Sequence, residues 1–388
     1  MSWFFTAILL ALLLSSPGQG RAQESRRRKR GPSAVNCNIP AIYNFGDSNS
    51  DTGGLSAVFP PTVPPNGETF FHNPSGRACD GRLIIDFIAE HLGIPYLSAY
   101  LNSIKPNFEH GANFATRGAT IRQQNEGWFQ NYVSPFSLDI QLTHFYELKA
   151  QTTYFFNLAK EQAGRDGLPK PEDFSKALYM FDIGQNDLDA GFRKMSNQQI
   201  LADIPDIIAL FADAVHNLYR TGARAFWIHN TGPVGCLPLK TVEIEQHLKP
   251  GILDEDGCIK DQNDIAKEFN KQLKERVIKL RAELPQASIT HVDIYTAKYK
   301  LIRNARDLGF EDASKICCGY RRNGTNIWCG YNANVNGRDM HAGSCPNPSK
   351  VISWDSVHYT ESANRWIASL IINGSLSDPP IPIAQACQ

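Results

Sequence analysis

The chain has 388 residues, of which 42% are hydrophobic and 20% charged, so it is long enough for one large domain or two of ordinary size. Its 39 Lys and Arg balance its 39 Asp and Glu, but six of the basic residues and only one Glu lie in the first 30 positions. The remainder therefore holds 33 basic and 38 acidic side chains, a net charge of −5, which argues against a nucleic-acid partner.

The first 36 residues are typical of targeting and connecting sequence. Residues 3–14 form an apolar run of twelve, too short to span a bilayer, and small residues follow it. This pattern predicts a signal peptide over residues 1–22, cleaved after Gly20 or Ala22. The basic run Arg26–Arg30 then indicates a disordered arm over residues 23–36, with proteolytic processing at this run as the alternative. No later run of eighteen apolar residues follows, so the sequence predicts an exported protein, extracellular or vacuolar, without a transmembrane segment.

Beyond residue 36, short apolar runs alternate with stretches of helical periodicity. The predicted strands are residues 41–45, 177–184, 223–229 and 288–294, and the predicted helices are residues 80–93, 196–222, 265–284 and 360–374. Asp80 is the expected N-cap of the first helix, Ser196 and Gln199 form a capping box for the second, and Pro205 is expected to disturb that second helix. Strands alternating with helices predict a single α/β domain, residues 37–388, around a parallel sheet covered on both faces.

A serine at the end of the first strand is the first candidate for chemistry. Residues 46–49, Gly-Asp-Ser-Asn, stop that strand with turn formers, which places the Ser48 hydroxyl at the carboxyl edge of the sheet, where ligands bind. A serine nucleophile needs a base. His358 is the candidate, because Asp355 three residues earlier can accept from its Nδ1–H and leave Nε2 free. Taken separately, a polar turn and a surface Asp/His turn are the ordinary interpretations of these segments.

Four segments together resemble the plant GDSL esterase/lipase family of the SGNH hydrolase superfamily, in its early-nodulin-type subgroup. They are residues 45–53, 111–119, 181–187 and 354–360, and the similarity extends from about Cys37 to Cys387. The resemblance implies a three-layer α/β/α sandwich around a central parallel sheet, the flavodoxin-like SGNH hydrolase fold. It also implies an active site at the carboxyl edge of the strands, with no cofactor and no metal.

The resemblance also assigns roles by position. Ser48 is the implied nucleophile, and its own N–H is one donor of the oxyanion hole. The Gly118 N–H and the Asn186 side-chain amide are the other two donors. His358 is the implied general base and then general acid, and Asp355 orients it. Arg117, directly before Gly118, is expected to point to solvent, with contact to an anionic or hydroxylated substrate as the alternative.

Nine cysteines fit a secreted protein, because disulfides persist outside the cytosol. The resemblance suggests one bridge between Cys37 and Cys387 and another between Cys236 and Cys258. Two more are expected among four cysteines whose connectivity stays open, except that adjacent cysteines do not pair readily; these are Cys317, Cys318, Cys329 and Cys345. Cys79 is then unpaired, and a zinc site formed by the four-cysteine cluster with His341 is the alternative. Asn323 and Asn373 are predicted N-glycosylation sites.

The predicted function is hydrolysis of a carboxylic ester through an acyl-enzyme at Ser48. The substrate is expected to be a small molecule or an ester carried on a polysaccharide, and acetyl, fatty acyl and aromatic acyl groups all stay open. Acyl transfer to an alcohol is the alternative, because it uses the same acyl-enzyme. A third possibility, a secreted binding protein that keeps the fold without catalysis, is disfavoured by the complete set of candidate residues.

Overall fold

The computed structural model describes residues 37–158, 165–244, 250–322 and 325–387. The signal peptide and the basic arm predicted for residues 1–36 lie outside these ranges, as does Asn323. In chain order, the strands are β1 Ile42–Gly46, β2 Gly111–Asn113, β3 Leu178–Asp182, β4 Ala225–His229, β5 Ser288–Val292, β6 Tyr320–Arg322, β7 Thr325–Ile327, β8 Asn332–Val335, β9 Arg338–His341 and β10 Ser377–Asp378. The helices are α1 Gly54–Val58, α2 Ile84–His91, α3 Trp128–Asn131, α4 Leu138–Leu158, α5 Gln185–Lys194, α6 Asn197–Arg220, α7 Pro238–Ile244, α8 Lys260–Glu283, α9 Ile294–Arg303 and α10 Glu361–Ile372.

Six strands form one sheet in the order β10-β5-β4-β3-β1-β2. All neighbours are parallel except β10, which pairs antiparallel with β5. The order 2-1-3-4-5 reverses direction between β1 and β3, and in flavodoxin-like sheets ligands bind at this switch point, outside the carboxyl ends of the strands. Ser48 follows β1 at this point. The predicted fold class is confirmed.

Both faces of the sheet are covered, which explains why its strands are apolar rather than alternating. Successive side chains point to opposite faces. On one face, Tyr43 and Phe45 of β1 pack with buried residues of α4, α6 and α8. On the other face, Ile42 packs with buried residues of α2, α9 and α10. The helices therefore form the two outer layers, and the polar ends of the strands are left for the site.

The first long helix begins later than the sequence predicted. α2 begins at Ile84, and the Asp86 carboxylate caps it by accepting from the Leu83 N–H (2.8 Å). Asp80 is not its N-cap, because its Oδ1 accepts from the Glu361 N–H (2.7 Å) at the start of α10. The prediction was wrong because a tertiary partner uses the carboxylate that local sequence assigns to the helix.

The second predicted helix is continuous. Its capping box is confirmed: Ser196 Oγ accepts from the Gln199 N–H (3.3 Å), and Gln199 Oε1 accepts from the Ser196 N–H (2.8 Å). Pro205 was expected to disturb the helix, but α6 runs through it without a break. Pro205 and Leu201, one turn earlier, both lie on the exposed side of the helix. The Leu201 carbonyl, which the proline leaves without a backbone donor, can therefore accept a hydrogen bond from water.

Two hairpins that the sequence did not predict, β6–β7 and β8–β9, lie between α9 and α10. Disulfides Cys317–Cys345 and Cys318–Cys329 join this region, and Cys37–Cys387 and Cys236–Cys258 are also bonded. Cys79 is buried and unpaired. The zinc alternative is wrong, because the sulfurs of all four cysteines in the cluster are in disulfides and zinc binds thiolates.

An ion pair between Arg82 and Glu361 joins the segment before α2 to the first turn of α10. Arg82 donates to the carboxylate from its backbone N (3.1 Å) and its Nη2 (2.8 Å), and both side chains are 9% exposed. Burial by itself raises the pKa of Glu361, but hydrogen bonds from Arg82 and Arg365 outweigh burial and hold the pKa below its ordinary value.

Glu361→Gln is expected to lower the free energy of unfolding by about 2 kcal/mol near neutral pH, because it removes the buried carboxylate partner of Arg82 and leaves the guanidinium paired with the exposed Glu90 (2.9 Å). Since folding depresses the pKa of Glu361, the stability that its charge contributes is complete above the unfolded value of 4.5 and is lost as the pH falls through the folded pKa. The difference in the free energy of unfolding between wild type and variant, measured with urea, should therefore be smaller in acid than near neutral pH. A gap that does not change with pH contradicts this assignment.

Candidate active site

The turn after β1 presents Ser48. The Gly46 N–H donates to Gln141 Oε1 (2.9 Å), and the Gly46 carbonyl accepts from Gln141 Nε2 (2.9 Å). A Cβ at Gly46 would lie 2.6 Å from the Asp182 carbonyl oxygen, so glycine permits the close approach of β1 and β3. The Asp47 N–H donates to the same carbonyl (3.1 Å), and Ser48 follows with 8% of its surface exposed. Two strands therefore hold the turn in place.

Asp51 connects this turn to segment 111–119. Its Oδ1 accepts from the N–H groups of Gly53 (2.8 Å) and Gly54 (2.6 Å), and its Oδ2 accepts from the Arg117 N–H (2.8 Å). The Thr116 N–H also donates to the carbonyl of Gly46 (3.1 Å). The second sequence segment is thus bonded to both ends of the serine turn.

The backbone N–H groups of Ser48 and Gly118, like those of Asp51 and Thr52, donate to no acceptor among the described residues. Gly118 has a φ of +78°, and a Cβ there would lie 2.1 Å from the Tyr132 carbonyl oxygen, so this backbone requires glycine. Unpaired N–H groups are the donors that a developing oxyanion needs.

Asn186, in the first turn of α5, lies against the same segment. Its Nδ2 donates to the carbonyl of Ala119 (2.9 Å). The next residue, Asp187, accepts from the N–H groups of Ile121 (2.8 Å) and Arg122 (3.0 Å). Burial raises the pKa of Asp187 to about 7, although those hydrogen bonds act in the opposite direction. Asn186 therefore contacts the residue that directly follows Gly118.

Asp355 and His358 are hydrogen-bonded in a loop before α10. Asp355 Oδ2 lies 2.6 Å from His358 Nδ1, and Asp355 Oδ1 accepts from the N–H groups of Val357 (3.1 Å) and His358 (2.8 Å). Burial raises the pKa of Asp355, but the charge of His358 and these hydrogen bonds lower it below its ordinary value overall. Ser356, at φ 82°, makes this a tight turn rather than a helical one. The Nδ1 side of the imidazole therefore faces the carboxylate.

The serine turn and the histidine turn meet through Lys298 of α9. Lys298 Nζ donates to Asn49 Oδ1 (3.2 Å) and lies 4.8 Å from the ring centroid of Tyr359. Asn49 and Tyr359 directly follow Ser48 and His358. Within the described residues, no hydrogen bond joins Ser48 Oγ to His358 Nε2. Bonds of this type in free enzymes are often formed only when substrate binds.

A buried polar cluster lies behind the serine turn, and sequence reasoning missed it. Gln185 Nε2 lies 3.3 Å from Asp47 Oδ2 and 3.4 Å from Asp182 Oδ1, and His229 Nδ1 lies 3.4 Å from Asp182 Oδ2. Burial and then Asp182 raise the pKa of Asp47, whereas His229 overcomes burial and lowers the pKa of Asp182. One feature of the sequence could have indicated this buried cluster: Lys298 is a charged residue on the apolar side of a helix.

Arg117 does not extend into solvent as expected. It is half-buried, and its Nη2 donates to Ser56 Oγ in α1 (2.9 Å). The guanidinium thus braces α1 against segment 111–119. The expectation failed because Arg117 has a hydrogen-bond acceptor from a neighbouring helix, which the local sequence does not show.

A serine at the switch point of a parallel sheet, together with an Asp–His pair, is the residue set of a serine hydrolase. A sequence model described as GDSL-like Lipase/Acylhydrolase matches residues 42–371. A GDSL esterase/lipase of Arabidopsis thaliana is 57% identical over 351 residues, which are 90% of each chain. The GDSL esterase/lipase ENOD8 of Medicago truncatula is 47% identical over 356 residues, 91% of each chain. A protein named alpha-L-fucosidase 3, from Arabidopsis thaliana, is 47% identical over 352 residues, 88% of this chain and 92% of that one.

The chain therefore belongs to the GDSL-like lipase/acylhydrolase family, and it is a carboxylic-ester hydrolase of the plant GDSL esterase/lipase type. This confirms the resemblance drawn from the four sequence segments. Within the described residues, no helix combines the length and the apolarity needed to cross a bilayer.

Proposed function

We propose that this protein is a secreted ester hydrolase that works through an acyl-enzyme at Ser48. The observation that carries the proposal is the 2.6 Å contact between Asp355 and His358, in a loop that Lys298 connects to the residue after Ser48. An imidazole whose Nδ1–H donates to a carboxylate keeps Nε2 as a proton acceptor, which a serine nucleophile requires.

The proposed reaction has two halves. Ser48 Oγ attacks the ester carbonyl carbon while its proton passes to His358 Nε2, and the oxyanion accepts from the N–H groups of Ser48 and Gly118 and from Asn186 Nδ2. The intermediate then expels the alcohol, which takes the proton from His358, and leaves an ester on Ser48. Water repeats the sequence and releases the acid. An alcohol acceptor in place of water gives the transferase alternative.

The direct test is reaction with a fluorophosphonate, which phosphonylates an activated serine and mimics the tetrahedral intermediate. Mass mapping should place the adduct on Ser48, and the adduct should abolish hydrolysis. In parallel, the purified protein should be assayed on acetyl, long-chain acyl and hydroxycinnamoyl esters, with and without added alcohols. An adduct on another serine, or esterase activity that persists after labelling, contradicts the proposal.

Asn186→Ala is expected to lower kcat by about 10²–10³, because it removes one donor to the oxyanion. Asn186 also bonds the Ala119 carbonyl, so the melting temperature must be measured with the rate. Asn304→Ala is the matched control: this exposed amide, directly after α9, has the Lys300 carbonyl as its one hydrogen-bond partner among the described residues. A variant that keeps its fold and wild-type kcat contradicts the role of Asn186.

Glycoside hydrolysis, which the name of one relative states, is not favoured by the carboxylates near Ser48. That reaction usually needs two carboxyl groups flanking the scissile bond. Asp47 and Asp182 are 0% and 3% exposed and therefore cannot reach a glycosidic oxygen. Asp355 is occupied by His358.

Secretion is supported by the four disulfides, which are typical of oxidising compartments. Asn373 is exposed at the end of α10, so a glycan there can be accommodated. N-terminal sequencing of the exported protein distinguishes cleavage near Ala22 from processing at Arg30. Loss of a glycan-sized mass on Asn373→Gln tests the glycosylation site.

A further inference from the structure

Lys298 is a buried lysine that contacts the neighbours of both proposed reacting residues. It is 1% exposed, its Nζ donates to Asn49 Oδ1 (3.2 Å), and its Nζ lies 4.8 Å from the ring centroid of Tyr359. Asn49 in turn donates to Asp47 Oδ1 from its backbone N (3.0 Å) and its Nδ2 (2.9 Å). The ammonium is therefore bonded into the serine turn on one side and lies against the ring beside His358 on the other.

The surroundings hold Lys298 in this position. A Cβ at Gly232 would lie only 2.9 Å from Lys298 Cδ, so the absence of a side chain there makes room for the lysine stem. Burial lowers the pKa of Lys298, while the carboxylates of Asp182 and Asp47 act in the opposite direction. Burying an ammonium group costs a large desolvation penalty. An apolar residue at this position would cover the inner side of α9 without that penalty. The charge therefore needs a reason beyond packing.

We propose that Lys298 is a positioning residue for the ester hydrolase: it sets the separation between the Ser48 turn and the His358 turn. This inference rests on the proposed function. The two turns come from opposite ends of the chain, and Lys298 contacts both of them. Alignment of a nucleophile and its base is sensitive to small shifts, and a displacement of about 1 Å can lower a rate by about 10²-fold.

Lys298→Met is the first test, because methionine keeps most of the length and removes the charge. We expect kcat on a short-chain ester to fall by about 10- to 100-fold. KM should stay within about twofold of wild type, because a buried side chain does not touch substrate and only transition-state geometry is lost. Lys298→Arg, which keeps the charge, should recover part of kcat. Wild-type kcat in a folded Lys298→Met protein overturns the proposal.

Lys149→Met is the matched control. Lys149 is also partly buried, donates to the Thr221 carbonyl and lies 5.5 Å from the Phe174 ring centroid, and neither of these contacts involves the Ser48 turn or the His358 turn. Its variant should lose stability without losing kcat. If both methionine variants lower kcat equally, the effect on Lys298 is general destabilisation and the proposal fails.

A double-mutant cycle with Asn49→Ala separates positioning from simple charge balance. If Lys298 acts through Asn49, the double variant should have a kcat within about twofold of Lys298→Met alone. Losses that multiply overturn the proposal. If Lys298→Met does not fold, Asn49→Ala decides: a fall in kcat at constant KM supports the proposal, and an unchanged kcat rejects it.

Ser48→Ala, assayed alongside, keeps the two hypotheses separate. If Ser48→Ala is inactive while the Lys298 and Asn49 variants have wild-type kcat, only the positioning role fails. If Ser48→Ala is fully active, the proposed function itself fails.

Discussion

Ser48→Ala is expected to reduce kcat for a short-chain p-nitrophenyl ester by a factor approaching about 10⁶, the loss seen when a serine hydrolase loses its nucleophile. In the proposed mechanism the acyl-enzyme can then no longer form, while the proposed oxyanion donors at Gly118 and Asn186 remain. Binding of the ester should change little, because the hydroxyl is small and the surrounding backbone is held by β1 and β3.

The assay needs a control for serine substitution in general. Ser369→Ala serves this purpose, since Ser369 is exposed on α10 and its hydroxyl bonds the Trp366 carbonyl (2.7 Å) and no other group in the part of the chain that the structure describes. Its kcat should equal that of wild type. Esterase activity in Ser48→Ala above a few per cent of wild type would show that another residue is the nucleophile.

Asp355→Asn is expected to lower kcat by about 10⁴-fold, the loss found for the corresponding change in another serine hydrolase. Asparagine fills the same space, but its amide can donate to His358 Nδ1 and so favour the tautomer in which Nε2 carries the proton. That tautomer cannot accept the proton of Ser48. The 2.6 Å contact makes the orientation of His358 depend directly on this carboxylate.

Two measurements make this second result specific. Raising the pH should not restore kcat, because the defect is the tautomer and not the charge of the imidazole. KM should stay near that of wild type, which separates loss of chemistry from loss of binding. A variant with more than about a tenth of wild-type kcat would show that Asp355 does not orient the base.

Local sequence was sufficient for the elements whose signals are short-range. Tyr43 and Phe45 in an apolar run predicted β1, and the capping box of Ser196 and Gln199 predicted the start of α6. It failed where a distant residue competes for a local group. Asp80 bonds the backbone of Glu361 instead of capping α2, and Arg117 donates to Ser56 instead of extending into solvent.

The same distinction, between what local sequence determines and what tertiary contacts determine, applies to the candidate site. The sequence by itself determined the α/β alternation, the family and the residue types of the candidate site, because turns, caps and the Asp355–His358 spacing act over a few residues. Only the tertiary structure decided which cysteines of the 317–345 cluster pair, and that Lys298 joins the Ser48 turn to the His358 turn. Those contacts depend on how strands and helices far apart in the chain pack together, and no local pattern of residues encodes that packing.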